Sequence, residues 1–178
     1  MALKATVFKA SVSIADMDRG VYLDENLTIA QHPSENDERM MLRILAWVLN
    51  ATEGLEFTKG LSEDDEPEVW KKSLSDEIEL WIELGCPDEK RLRKASARAK
   101  EVILYTYGDN AAPVWWQQIK NKLTRFSNLK VVYIPDAVID GLAAMTQRTM
   151  QLQITIQDGT AWLNCGEQTV EVTPESWM

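Results

Sequence analysis

Between Ile78 and Leu84 the chain alternates strictly, Ile78, Leu80, Ile82 and Leu84 against Glu79, Trp81 and Glu83. A period of two puts four aliphatics on one face of a strand, the core face, and two carboxylates on the other. Gly85 ends that strand, Pro87 suits a first helical position, and Asp88 and Glu89 favour the positive end of a new helix. The spacing predicts that helix over 87–99, with an apolar stripe of Leu92, Ala95 and Ala99. Lys90 and Lys94, four apart, share one of its faces, Lys94 bordering the core side, with Arg91 and Arg93 beside them. A carboxylate strand therefore feeds directly into a cationic helix.

The same reading runs along the rest of the chain. Residues 2–14 alternate loosely, and Val21–Leu23 with Leu27–Ala30 repeat the strand signal after a turn at Asp16–Gly20, which predicts an N-terminal β meander. His32-Pro33-Ser34 punctuates the chain, and Ser34 followed three residues on by Asp37 marks a helix start. The helix over 35–50 carries a stripe of Leu42, Leu45 and Leu49. Glu38, one turn before Leu42, leans toward whatever the helix packs on or simply compensates its dipole. Leu55–Thr58 reads as a short strand, Gly60–Pro67 as an acidic loop, Glu68–Lys71 as a strand edge and Val102–Tyr107 as a buried strand stopped by Gly108. A helix over 112–126, striped by Trp116, Ile119, Leu123 and Phe126, leads to a strand at Leu129–Ile134. Leu152–Leu163, with Asp158-Gly159 at its centre, is a hairpin, and Thr169–Thr173 adds a strand. This order predicts an α/β core with a crossover helix between parallel strands. With neither a repeat nor a dividing linker, residues 1–178 read as one domain.

Charge changes the picture. The net charge of −9 divides into eight Lys/Arg against eighteen Asp/Glu over residues 1–86, or −10, and eleven against ten over residues 87–178, or +1. That balance argues against gripping long duplex nucleic acid, which requires neutralisation of many phosphates. It leaves room for a metal-dependent phosphodiesterase, where clustered carboxylates hold the cation. Cys86 and Cys165 match no zinc or redox spacing and read as buried small hydrophobes in a reducing compartment. Lys4 and Lys9 interrupt any N-terminal apolar run, so the expectation is a soluble cytoplasmic protein with no membrane contact. One histidine, His32, stands before Pro33 as a loop residue, which excludes most imidazole-based catalysis; GxxxxGK[ST] and GxGxxG are both missing.

Carboxylate plus lysine chemistry remains. At about 3.3 Å per residue Glu79 and Glu83 lie about 13 Å apart along a strand, too far to share one cation. A site centred on Glu83 therefore needs an acid from a neighbouring element, with Asp64, Asp65 or Glu66 the nearest supply, and Lys90 or Lys94 within reach of the same spot. The plainer reading is a solvated carboxylate face paired to surface cations, each pair contributing about 0–1 kcal/mol.

The chain also resembles a known family. Ala2–Ala10, His32-Pro33-Ser34-Glu35 with Glu38–Arg43, Asp64–Glu68, Leu80–Gly85, Pro87–Arg91, Trp115-Trp116 and Gln153–Gly159 are similar to the YaeQ proteins of bacteria over essentially the whole length. The resemblance implies an α/β fold with a restriction-endonuclease-like, PD-(D/E)xK core, a mixed central sheet flanked by helices over roughly residues 35–135, and β additions at both ends. In that superfamily an acid on one strand and an E-x-K on the next share Mg²⁺ or Mn²⁺, and an acid on the preceding helix assists. Glu83 supplies the acid of E-x-K, but Gly85 stands at the lysine position. The expected site is therefore Glu83 with Asp65 or Glu79 as second metal-binding acid, Glu38 as helix acid, and Lys90 or Lys94 as the displaced cation. The implied activity is a phosphodiesterase on nucleic-acid ends, flaps or single strands. The alternative is a non-catalytic protein that keeps the fold to bind nucleic acid or a protein partner.

Overall fold

A computed structural model describes residues 4–59 and 65–178. The elements run β1 (Thr6–Asp16), β2 (Val21–Gln31), α1 (Asp37–Leu49), β3 (Leu55–Phe57), β4 (Val69–Lys72), β5 (Ile78–Leu84), α2 (Glu89–Arg98), β6 (Ala99–Tyr107), α3 (Ala111–Leu123), β7 (Leu129–Ile134), α4 (Asp136–Ala143), β8 (Thr149–Gln157), β9 (Thr160–Cys165), β10 (Gln168–Val172) and β11 (Glu175–Ser176). They form two mixed sheets, ordered β10-β9-β8-β1-β2 and β11-β7-β6-β5-β4-β3.

In the second sheet β5, β6 and β7 are parallel neighbours, while β4 pairs antiparallel with β5 and β3 with β4. The strand predicted at Ile78–Leu84 is thus interior. Glu68–Lys71, expected at an edge, also lies inside, because β3 takes the edge. Both faces of this sheet are covered. Ile82, Leu84, Ile103, Tyr105 and Ile134 pack with α1 and the inner face of the first sheet, while Trp81, Val102, Leu104 and Val131 pack under α2 and α3. Ile78, predicted on the first of these faces, joins the second, next to an irregularity in the β4–β5 pairing.

Sandwiching explains α1. Its nine residues Met40–Val48 are all buried, Arg43 among them, so the three-leucine stripe understates a helix enclosed between two sheets. Its cap is Asn36, whose side chain accepts from the Arg39 N–H, rather than Ser34, which is turned back on the His32 ring. Likewise α2 is capped by Asp88, so Pro87 precedes the helix, and Ala99 opens β6.

The terminal additions join each other. β1 pairs antiparallel with β2 and parallel with β8, so the N-terminal hairpin and the C-terminal one, turning at Asp158-Gly159, make one sheet. Helix α4 was not anticipated; it is short and runs through Gly141. A Cβ there would stand 2.9 Å from a Val170 methyl, so glycine permits α4 to pack on β10. The cysteines depart from expectation: Cys86 is exposed and Cys165 half-buried, both as free thiols. Among the described residues no helix is long and apolar enough to cross a membrane.

Candidate functional site

The chemistry-bearing end of the molecule lies where β5 and β6 finish. Glu83, on the face of β5 beneath α2, is 5% exposed, which removes it from the solvated face that the alternation suggested. Burial is possible because its donors are built in. Trp81 Nε1 donates to Glu83 Oε1 at 2.8 Å, and Arg91, two residues into α2, donates to the same oxygen through Nη2 at 2.8 Å and Nε at 3.2 Å. All three bonds that Glu83 accepts from described residues fall on Oε1, leaving Oε2 for another ligand. Burial pushes the Glu83 carboxyl above its ordinary range against the pull of Arg91 and Trp81, and the charge of Glu68 adds to the rise.

Glu68, also buried, arrives from the strand next door, its N–H bonded to the Ile82 carbonyl at 3.0 Å. Its carboxylate is taken by Arg39 in the first turn of α1, through Nη2 to Oε1 and, more weakly, through Nη1 to Oε2 at 3.4 Å. Arg39 also donates to Glu35 Oε2 at 2.7 Å. Glu35, just before α1, is held by Arg43 Nε at 3.0 Å and Nη2 at 2.6 Å. Burial opposes the charge on Arg39, but Glu68 and Glu35 outweigh it and hold the guanidinium above its ordinary value. The half-buried Tyr107, at the end of β6, has its phenol pushed up by burial within the field of Arg39, Glu68 and Glu35. Glu35 just before α1, Glu68 just before β4 and Glu83 on β5 are thus buried acids each met by an arginine.

The predicted site residues divide differently. Glu83 is one of these buried acids. Glu79 sits near the start of β5, half-exposed and paired to Lys71 at 3.4 Å, in a separate depression with Lys72 and Ser73. Asp65 is exposed and paired with Lys94; that lysine and Arg98, which donates to the Asp65 carbonyl at 2.7 Å, hold the segment before Glu68 on the outside of α2. Lys94 holds the Asp65 carboxyl below its usual range. Lys90 is exposed and enters no ion pair among the described residues. Glu38, in the first turn of α1, is half-buried without a polar partner there; the acid facing the cluster from this side is Glu35. Asp64 lies outside the described residues.

The helix after Gly85 does partner the strand before it, through Arg91. A lysine at position 85 is opposed by the backbone. Gly85 has φ +102°, and although a Cβ would meet nothing within 4 Å, an L side chain there strains the chain by about 1–3 kcal/mol. Arg91→Ala is accordingly expected to lower stability by about 1–3 kcal/mol, since it leaves the buried Glu83 carboxylate without its cation, while Lys90→Ala and Lys94→Ala change it by about 0–1 kcal/mol. Melting curves of the three variants check this.

Glu35, Glu68, Arg39, Arg43 and Arg91 were missed as site residues. The available signal was Pro67-Glu68 before a strand and arginine at positions 39 and 43, one helical turn apart. The donor set fits a metal only in part. Glu83 offers one carboxylate oxygen and Glu68 another, but the Glu68 carboxylate is already occupied by Arg39. Among the described residues no three His, Cys, Asp or Glu side chains stand together as a ligand set.

A YaeQ protein family model matches residues 1–174. The YaeQ protein of Escherichia coli (strain K12) is 52% identical over 178 residues, covering 100% of this chain and 98% of its own. Among solved structures, the YaeQ protein from Xanthomonas axonopodis pv. citri superposes with a TM-score of 0.95 at 43% identity, covering 98% of each chain. That from Pseudomonas syringae superposes with a TM-score of 0.93 at 35% identity, covering 98% of this chain and 96% of its own. Whole-chain identity at this level, with the same mixed α/β architecture, means that the chain belongs to the YaeQ family.

Proposed function

We propose that this protein processes phosphodiesters of nucleic acid on a restriction-endonuclease-like scaffold, with Glu68 and Glu83 as the acids and Arg39 and Arg91 as the phosphate-binding cations. The observation that carries the reading is that two buried carboxylates, Glu83 near the end of β5 and Glu68 just before the adjacent β4, each carry a guanidinium, with the Glu68 N–H bonded to the carbonyl of Ile82, the residue before Glu83. Such an arrangement stabilises the fold poorly, since desolvating ion pairs largely offsets their attraction, but it presents acid and phosphate-binding groups together. The element order α1-β3-β4-β5 followed by α2-β6 supports the PD-(D/E)xK plan, as does Pro67-Glu68 just before β4 in place of the proline-acid half; Glu83 supplies the acid of E-x-K, with Gly85 where the lysine would stand.

The arginines determine how the site works. Glu68 and Glu83 would hold Mg²⁺ or Mn²⁺, which would polarise the phosphate and activate water, once Arg39 is drawn off Glu68. A phosphodiester supplies the pull. Its oxygens replace the glutamates as arginine partners in bidentate geometry, and Glu68 and Glu83 Oε2 become available together. Titrating Mn²⁺ calorimetrically into the protein alone and into its complex with a phosphorothioate single-stranded oligonucleotide tests this. Heat is expected only in the complex, and none in Glu83→Gln. Equal absence of heat in the wild-type and Glu83→Gln complexes would defeat the metal reading.

A second reading, a non-catalytic nucleic-acid-binding protein of the cytoplasm, is favoured by one observation: all three glutamates are already neutralised by arginine. It expects binding in EDTA and no cleavage with any divalent ion.

A further inference from the structure

We infer that the cleft between the β5–α2 loop and α3 is a subsite for one unpaired base of a single-stranded nucleic acid, with Trp115 as its stacking surface. This rests on the phosphodiester reading and adds the substrate class to it. The cleft has a volume of about 300 Å³ and is lined by Cys86, Pro87, Trp115, Gln118, Ile119 and Lys122. It opens three residues after Glu83 and flanks the start of α2, the helix that carries Arg91. Its size is at the low end of small-molecule sites, suited to one flat heterocycle.

Trp115 is prepared for this use. Its Nε1 donates to the Pro87 carbonyl at 2.7 Å and its ring lies 6.0 Å from that of Trp116, so the indole is held in place at little further entropic cost to a ligand. Ile119 adds apolar surface. Gln118 lines the cleft with an amide, donor and acceptor both, as a base edge requires, and Lys122 lines it from the last turn of α3.

Charge agrees. Residues 87–130, which contain α2 and α3, carry ten Lys/Arg against four Asp/Glu, a net of +6 in a chain whose total is −9. Asp88 and Glu89 also line the cleft, and both are already engaged. Asp88 Oδ1 accepts the Arg91 N–H at 2.8 Å as the α2 cap, and Glu89 is paired to Arg125 and, at 4.0 Å, to Arg93. Many of these cations are themselves ion-paired, but Lys90 on α2 and Lys120 and Lys122 on α3 enter no ion pair among the described residues, and a few such charges suit a single strand, where stacking supplements phosphate contacts, better than a duplex, whose bases are stacked on each other.

The test is fluorescence anisotropy of a labelled oligothymidylate of about 12 nucleotides, in EDTA, on the Glu83→Gln protein, so that neither metal nor cleavage contributes. Binding is expected, weakened about 5- to 150-fold by Trp115→Ala and largely rescued by Trp115→Phe, which keeps a stacking ring. Lys122→Glu is expected to weaken binding and to lower the salt dependence by about one counterion. Because Trp115→Ala also removes packing, circular dichroism accompanies each variant, and Lys122→Glu carries the test if the alanine protein does not fold. An unchanged Kd in folded Trp115→Ala, an unchanged Kd and salt slope in Lys122→Glu, equal competition by a blunt hairpin duplex, or no binding at all overturns the subsite. Trp115-dependent binding with no Mn²⁺ uptake by the complex would leave the subsite standing and remove the catalytic reading. Glu83-dependent cleavage with Trp115-independent binding would do the reverse.

Discussion

Replacing Arg43 by methionine is expected to lower the unfolding free energy by about 3–5 kcal/mol, seen as a fall in the urea midpoint with little change in slope. Arg43 is 3% exposed, holds Glu35 through two nitrogens, and donates to the Ala30 carbonyl at 2.9 Å. Its removal leaves the Ala30 carbonyl without this donor and the buried Glu35 dependent on Arg39 alone, which is the costly way to break a buried pair. The double variant Glu35→Leu, Arg43→Met is expected to cost less than the sum of its singles by about 0.5–3 kcal/mol, the range for residues in direct contact. Additive single effects would mean that the two side chains act on stability separately.

Glu83→Gln is expected to behave in the opposite way. The amide keeps the shape and an oxygen for Trp81 and Arg91 while removing a charge that burial disfavours. The sign follows from the pKa. The folded-state carboxyl titrates above its ordinary 4.5, so Glu83 costs nothing below that value and destabilises progressively as pH rises through its folded pKa. The variant should therefore match wild type near pH 4.5 and gain on it toward neutral pH, while activity, if Glu83 is the acid of the reaction, falls about 10²–10⁴-fold. Stability curves at several pH values measure the first part. A variant that loses stability as pH rises would mean that the pairing with Arg91 outweighs burial and that Glu83 is structural.

Much of this was legible in the residues. The alternation at 78–84, the break at Gly85 and the cationic helix behind it located β5, α2 and the partnership between them, because period two and helix-start chemistry are local. Which cation faces the strand was not legible. The helical wheel is displaced by one residue's uncertainty in the helix start, and the Asp88 cap turns Arg91, rather than Lys90 or Lys94, toward Glu83. Glu35 and Glu68 were hidden for another reason. Each precedes its element, where an acid is ordinary, and only tertiary placement of α1 against β4 brings Arg39 to both. The parallel pairing of β1 with β8 joins residues about as far apart as the chain allows, and no local pattern encodes it. Glu83 itself was misjudged as solvated because alternation shows that a face differs in polarity, not that it is open; here α2 covers it.

The most direct test of the central claim, that Glu68 and Glu83 are the acids of a phosphodiester-processing site, is cleavage of an end-labelled single-stranded oligonucleotide with Mn²⁺ by wild type, Glu68→Gln and Glu83→Gln, each verified as folded. Products from wild type, reduced at least about a hundredfold in both variants, are expected. Cleavage that survives both substitutions, or none by wild type across single-stranded, flap and end substrates that it binds, would contradict the account.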